Sequence, residues 1–358
     1  MTKPNSSLID CAVDAIRTGK LVAIPTETVY GLGADASNHD AIQKIYQLKG
    51  RPADHPLIVH VQAPPIGSRD PEKEWLTILI PWTRHIPEYA LILMKQFWPG
   101  PLTLIFEKSK SVLDCVTGGQ ATVAIRSPAH PLTQELLHRF GGGIAAPSAN
   151  RYGRISPTSA TDVEDEFPNN PDLLILDGGP CEHGIESTIL DVSSEGPPKL
   201  LRPGSISPSM IKASTGIDVI IGSTTAKQPR ASGSHLAHYA PHTPLYLYSD
   251  SGIASQLGPL LNEAHEARFA VLVWAEEHSH HQAELKAYLK NLTFITIAMD
   301  PALLAKQLYR LLRGLDQGQY QGIFIPSPPN TEAWDAVRDR LQRASFGSGP
   351  SSNSHVSN

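Results

Sequence analysis

The stretch Leu21–Gly33 reads LVAIPTETVYGLG. An apolar β-type run, Leu21–Ile24, ends at Pro25, which has no N–H to offer a ladder, and Thr26, Glu27 and Thr28 follow at once. The pattern predicts a buried strand that delivers three oxygen-bearing side chains to a sheet rim. Gly31 and Gly33 predict a sharp turn or a close backbone approach just beyond it. Open α/β sheets hold small ligands at such strand ends. The stretch has no Walker lysine and no GxGxxG, so by itself it does not specify a nucleotide fold.

The same design recurs on both sides of it. Ser7 to Thr18 carries a broad helical stripe, with Ser7 placed to cap it and Gly19 to stop it. A second helical pattern, Asp40 to Leu48, ends in Lys49-Gly50-Arg51-Pro52, and the strand pattern Pro56 to Val61 carries His60 near its end. Ala63 to Lys73 is Pro-rich and charged, as exposed loops are. A helix is expected over Leu91 to Trp98, then a rigid Trp98-Pro99-Gly100-Pro101 turn and a strand over Leu102 to Phe106. Ala121 to Arg126 reads as a strand ending in a cation, and Leu132 to Phe140 as a helix stopped by three glycines. The apolar run Ile144 to Ala146 ends in Pro147-Ser148-Ala149-Asn150. Strand-like runs follow at Leu173 to Leu176, Ser187 to Val192 and Lys199 to Leu201, the last ending in Arg202. Strands with few long helices between them predict a mixed rather than a purely parallel sheet.

Nearly every apolar run here ends in a polar group: Thr26, Thr28, Lys49, Arg51, His60, Thr122, Arg126, Ser148, Asn150, Ser187 and Arg202. Convergent cations and hydroxyls without an evident nucleophile and base suit an anionic ligand, such as nucleotide phosphates or a carboxylate.

From Ser205 to Thr243 the composition turns to Ser, Thr, Gly, Pro and His, and reads as a linker with one short helix at Pro208 to Thr215. Its histidines and Tyr239 are unusual for a passive spacer. Beyond it, strands at Leu245 to Tyr248, Phe269 to Trp274, Phe294 to Ala298 and Gly322 to Ile325 alternate with helical patterns. That alternation predicts a doubly wound parallel sheet without a phosphate loop. The tail from Gly347 is expected to be disordered. The expected division is therefore 1–204, a linker at 205–243, a second domain at 244–346 and a tail at 347–358.

At 358 residues the chain exceeds the roughly 250 to 300 residues to which one core usually grows, so two domains are expected. A hydrophobic fraction of 41% and a charged fraction of 18% are ordinary for a globular protein, and no apolar run nears the ~20 residues of a membrane span. The first residues hold no basic segment followed by an apolar one, so a cytoplasmic protein is expected. Three scattered cysteines predict free thiols rather than disulfides or zinc. The net charge of -5 argues against a broadly basic nucleic-acid surface.

PTETVYGLG, KGRP with PLIVHV, WPGPLTLIF, TVAIRSPAHP, APSANRYGRISPT, ESTILDV, LRPG and HYAP stand in this order. Together they resemble the Sua5/YrdC family of L-threonylcarbamoyladenylate synthases, in its long Sua5 form. The resemblance is dense over residues 8 to 204, reaches HYAP, and is architectural beyond Pro244. It implies a YrdC-like twisted mixed sheet with helices and a smaller Rossmann-like parallel α/β domain. It also implies a nucleotidyltransferase that makes threonylcarbamoyl-AMP and pyrophosphate from L-threonine, bicarbonate and ATP, with Mg²⁺ on the ATP and no permanently bound cofactor. The product would serve modification of adenosine 37 in tRNA, handed to downstream transfer proteins, with at most weak tRNA contact.

Carried over by motif, Thr28, His60, Arg126, Ala146 and Ser187 would surround threonine. Lys49, Arg51, His55, Thr122, Ser148, Asn150, Ser156, Arg202 and Tyr239 would surround ATP. Lys49, Arg51 and Arg126 would carry the catalytic charge, and Tyr239, within residues 230–242, would close over the nucleotide as a lid. Two places depart from the family's pattern. His55 stands where Asn is usual, and Ser234-His235-Leu236-Ala237 stands where basic residues are common.

Plainer readings stand beside these. Glu27 reads as a carboxylate that orders its own turn rather than a base, the Glu276–His281 run as a solvated loop, and Cys181 as inert. The alternative function is a regulatory or RNA-binding module of the same fold without synthase activity.

Overall fold

The computed structural model describes residues 6–222, 229–233, 237–249, 253–263 and 266–349. They form two compact units, one of residues 1–152 and 156–234, the other of 153–155 and 235–358.

The first unit opens with α1 (Ser6–Arg17), β1 (Leu21–Ile24), β2 (Gly31–Asp35) and α2 (His39–Lys49). There follow β3 (Ile58–His60), α3 (Pro71–Leu79), α4 (Glu88–Phe97), β4 (Leu102–Glu107) and α5 (Asp114–Thr117). Next come β5 (Thr122–Arg126), α6 (Pro131–Phe140), β6 (Ile144–Ala145), α7 (Ala160–Glu166) and β7 (Leu173–Ile175). It closes with β8 (Thr188–Asp191), β9 (Lys199–Arg202), α8 (Pro208–Thr215) and β10 (Ile220–Ile221). The ten strands make one sheet in the order β10-β9-β8-β4-β5-β3-β6-β2-β1-β7, with parallel and antiparallel neighbours, as the sparse helices predicted. The stretch read as linker supplies α8, capped by Ser207 with Pro208 in its first turn, and β10, which pairs with β9.

Residue parity divides this sheet. Leu32, Val59, Leu104, Phe106, Ile125 and Leu190 point into the main core, while Val22, Ile24, Ile144 and Ala146 lie on the opposite face in a second cluster with α1 and α6. This parity corrects the sharp turn expected at Gly31 and Gly33, which form a strand, with Ile24 opposite Gly31 and Val22 opposite Gly33. A Cβ on Gly33 would sit 2.9 Å from Ile144, and one on Gly31 3.1 Å from the Ala146 methyl. The close approach expected of the glycines is therefore to the second cluster and, at Gly33, to the Val22 carbonyl oxygen, 3.0 Å from the same Cβ position.

Helix α3 begins at Pro71, capped by Asp70, inside the segment read as loop. Its buried Trp75 and Leu79 join the main core, which the Pro-rich approach obscured.

The second unit contains β11 (Leu245–Tyr248), α9 (Ile253–Glu263), β12 (Phe269–Trp274), α10 (His278–Glu284), β13 (Leu292–Ile297), α11 (Pro301–Asp316), β14 (Gly322–Pro326) and α12 (Asp335–Gly347). Its sheet is parallel throughout, in the order β11-β14-β12-β13. The histidine run is helix α10 rather than a loop, with His281 buried at 3.4 Å from Glu277 and 3.3 Å from Glu284. Among the described residues no cluster of His, Cys, Asp and Glu is placed to hold a metal, and no helix is long and apolar enough to cross a membrane. Of the predicted tail, Gly347 ends α12 and residues 350–358 lie outside the described residues.

Candidate active site

The face of the sheet opposite the main core carries the polar groups. On β3 and β5, Ile58 pairs with Ala124 and His60 with Arg126. With Ile105 of β4 and Ile189 of β8, the first pair forms a small apolar floor, which Ala231 covers. Alternation from the same floor brings Thr103, Ser187, His60 and Arg126 to this side. Arg202 would face the other way but for a β-bulge. Leu200 lies opposite Leu190, yet Arg202 lies opposite Ile189, so one extra residue turns its guanidinium onto the site.

Arg126 is 4% exposed and reaches the loop between β1 and β2. Its Nε donates to Gly100 O at 3.2 Å, Nη1 to Thr28 Oγ1 at 2.8 Å and Nη2 to Glu27 Oε1 at 2.5 Å. Thr28 and Thr26 share a hydrogen bond of 2.9 Å, and Thr26 donates to Val29 O at 2.6 Å. Glu27 also accepts from the Ala129 N–H at 2.9 Å, and its own carbonyl accepts from the His183 N–H. It therefore orders its turn, as its plainer reading held. Burial alone would raise its pKa, but Arg126 and the backbone N–H groups of Glu27 itself and Ala129 outweigh that and hold it below the usual carboxylate value. His60 is buried too, and burial, then the neighbouring Arg126 charge, bring its pKa down to about 3. Its imidazole is neutral at pH 7.

Ser187 Oγ is 2.7 Å from Thr103 Oγ1. Arg202 donates to Ser187 twice, from Nε to the carbonyl and from Nη2 to Oγ, both at 3.1 Å, and from Nη1 to Ser232 O at 2.9 Å. Arg51 donates to Pro56 O at 3.0 Å, comes within 3.5 Å of Ser232 Oγ, and lies 5.9 Å above the Tyr152 ring. Lys49 and Arg51 flank Gly50, whose φ of 63° ends α2 and turns the chain. Lys49 is 3% exposed and donates to Ser148 O at 2.6 Å and to Asn150 O, which ties the Pro147–Asn150 turn to α2. Burial, then Arg51, push its pKa well below the usual lysine value. His55 packs 5.4 Å from the Tyr152 ring. Ala146 donates its N–H to Ile58 O, and Ser156 its hydroxyl to Glu186 at 2.6 Å. Thr122 begins β5 on the Arg126 side, four residues and so about 13 Å away.

All four cations are thus buried in the first unit. Ser232 joins Arg51 to Arg202, Lys49 adjoins Arg51, and Arg126 is the strand partner of His60. Tyr239 instead folds with the second unit, where it stacks on Tyr309 at 5.7 Å with the Arg340 guanidinium 5.1 Å from its ring. Its φ of 63° is uncommon for a bulky residue. The predicted lid spans both units, and its residues 234–236 lie outside the described residues.

Sequence reasoning missed Thr103 and Glu186, and although the strap at 230–232 falls within the segment expected to act as a lid, it did not find that Ser232 meets Arg51 and Arg202. Gln120 receives the Arg230 N–H at 2.6 Å and donates back to its carbonyl at 3.2 Å, which fixes the strap over the apolar floor. Strand parity could have found Thr103; nothing local marks Ser232. Cys181 is buried, and burial pushes its thiol up to about 12, in keeping with an inert group. The three cysteines are free.

A buried cationic face on a mixed sheet, followed by a separate parallel α/β unit, defines a two-part anion-binding α/β protein. The chain belongs to the Sua5/YciO/YrdC family: residues 14–204 match the family described as "Telomere recombination", and residues 206–345 match "Threonylcarbamoyl-AMP synthase, C-terminal domain". It is 38% identical to the threonylcarbamoyl-AMP synthase of Bacillus subtilis over 96% of this chain and 94% of that protein. It is 44% identical to that of Pyrococcus abyssi over 65% of each. The crystal structure of P. abyssi Sua5 complexed with L-threonine superposes with a TM-score of 0.77, at 33% identity and 95% coverage of both chains.

Proposed function

We propose that this chain is a threonylcarbamoyl-AMP synthase that joins L-threonine, bicarbonate and ATP and releases pyrophosphate. The observation that carries the reading is the gathering of Lys49, Arg51, Arg126 and Arg202 with neutral His60 and buried hydroxyls in one unit. The names of relatives spanning nearly the whole chain support it over a module without turnover.

The chemistry needs this charge. Threonine's amine and bicarbonate lose water to form a carbamate, whose oxygen attacks the α-phosphorus of ATP as pyrophosphate leaves. Both partners are anions, so fixed cations must offset their repulsion, and catalysis is by proximity and electrostatic stabilisation. Three of the five N–H donors of Arg126 are engaged by Gly100, Thr28 and Glu27. The other two, on its terminal nitrogens, take the threonine carboxylate. Thr28, His60, Ala146 and Ser187 line the same end. Lys49, Arg51 and Arg202 hold the phosphates, with His55, Thr122, Ser148, Asn150 and Ser156 about the nucleotide. ATP brings Mg²⁺ on its phosphates as part of the substrate. The enzyme works in the cytoplasm and passes its product to tRNA-modifying transfer proteins.

Pyrophosphate release should require threonine and bicarbonate together. Release that ignores either, or salt-sensitive RNA binding without turnover, overturns the reading. Because His60 stays neutral far below pH 6, threonine affinity measured calorimetrically should change less than about twofold between pH 5.5 and 7.5. A tenfold fall on acidification would mean that His60 titrates in that range.

A further inference from the structure

Gly153–Ile155 folds with the second unit although the residues on either side of it belong to the first. Just before it, the Tyr152 N–H donates to Lys49 O at 2.8 Å, and just after it Ser156 is fully buried against Glu186. The excursion is held at two places. Ala240 forms a parallel bridge with Arg154, in which the Ala240 N–H donates to Gly153 O at 2.9 Å, and Arg313 Nη2 donates to Ile155 O.

Arg313 is one of three residues spaced i, i+4, i+7 on α11, and so on one helix face. The first, Tyr309, stacks on Tyr239. The third, Asp316, accepts the backbone N–H groups of His242 at 2.9 Å and Thr243 at 2.7 Å. One helix face therefore holds the HYAP segment and, at Ile155, the end of the three residues that join Tyr152 to Ser156, while Ala240 of that same segment holds Gly153 and Arg154.

We propose that this face of α11 sets the loop carrying Asn150 and Ser156, so that the C-terminal unit governs affinity for ATP and not for threonine, with Arg313 as the positioning residue. The inference rests on the synthase reading, which assigns that loop to the nucleotide. The threonine group, Thr28, His60, Arg126, Ala146 and Ser187, lies outside the segment that α11 holds.

The test starts from the intact protein, whose pyrophosphate release must first depend on threonine and bicarbonate; failure there removes the synthase reading and not this one in particular. Given that activity, Arg313→Ala should raise the KM for ATP about tenfold and leave the KM for threonine within about twofold. Arg313→Lys, which keeps a charged donor, should recover most of the loss. Equal rises in both KM values, or no rise in either, overturn the inference. A second measurement needs no substitution. Coupling is reciprocal, so ATP, and not threonine, should slow amide exchange at His242 and Thr243. If Arg313→Ala does not fold, this exchange decides alone: no slowing with ATP, or equal slowing with threonine, overturns the proposal.

Discussion

Arg126→Ala is expected to fail twice over, in folding and in threonine binding. Its guanidinium is the charge partner of a carboxylate as deeply buried as itself, and removing one member of such a pair costs about 3 to 5 kcal/mol because the other is stranded. The binding role must therefore be read in a background that folds. Replacing both members, Arg126→Met with Glu27→Gln, removes the stranded charge and should recover much of the stability. Threonine affinity should still fall tenfold or more, since a charged hydrogen bond is worth roughly 1.5 to 3 kcal/mol. Wild-type threonine affinity in the double variant would mean that Arg126 serves the fold alone. The pair also sets an acid limit. Glu27 has a folded-state pKa below its ordinary value of 4.5, so its contribution is complete above pH 4.5 and is lost as pH falls through the folded value. Denaturant titrations should show that loss in the wild type, and Glu27→Gln should lack that component.

Lys49→Ala carries the other large expected effect. Its ammonium is the donor that ties the carbonyls of Ser148 and Asn150 to α2, and those residues form the turn assigned to the nucleotide. Under the synthase reading, losing the tie together with the charge that this reading assigns to the phosphates should lower turnover by about 10² to 10³, the loss typical of a transition-state donor. Arginine should not rescue it. A branched planar fork does not fit where the native side chain is 3% exposed and ends against two carbonyl groups. The measurement is pyrophosphate release with thermal unfolding recorded alongside. A folded Lys49→Ala protein with wild-type turnover would reduce Lys49 to a structural tie.

Much of this was legible in the sequence because the informative residues lie at the ends of short apolar runs. Leu21–Ile24, Leu102–Phe106 and Thr122–Arg126 form strands because they are short, mostly apolar runs with Pro or Gly close by, too short for a buried helix. Lys49 and Arg51 could be placed together because they sit on either side of one helix-ending glycine. Harder to read were features whose cause is distant in sequence. Gly31 and Gly33 look like a ligand turn until Ile144 and Ala146, more than a hundred residues on, claim the space above them. His281 looks solvated until α10 folds and buries it. Ser232 sits in a stretch with linker composition, and it is the distant guanidinium groups of Arg51 and Arg202 and the amide of Gln120 that give that stretch a place.

The bulge at Leu201 means that a residue count, and not only a residue type, aims one of the four charges. Two strands with identical composition, one shorter by a single residue, would present Arg202 to opposite sides of the same sheet. Aligning an arginine to this position in a relative is therefore insufficient to transfer its role. The spacing back to the partner of Leu190 must match as well, and a gap placed there changes the meaning of the match.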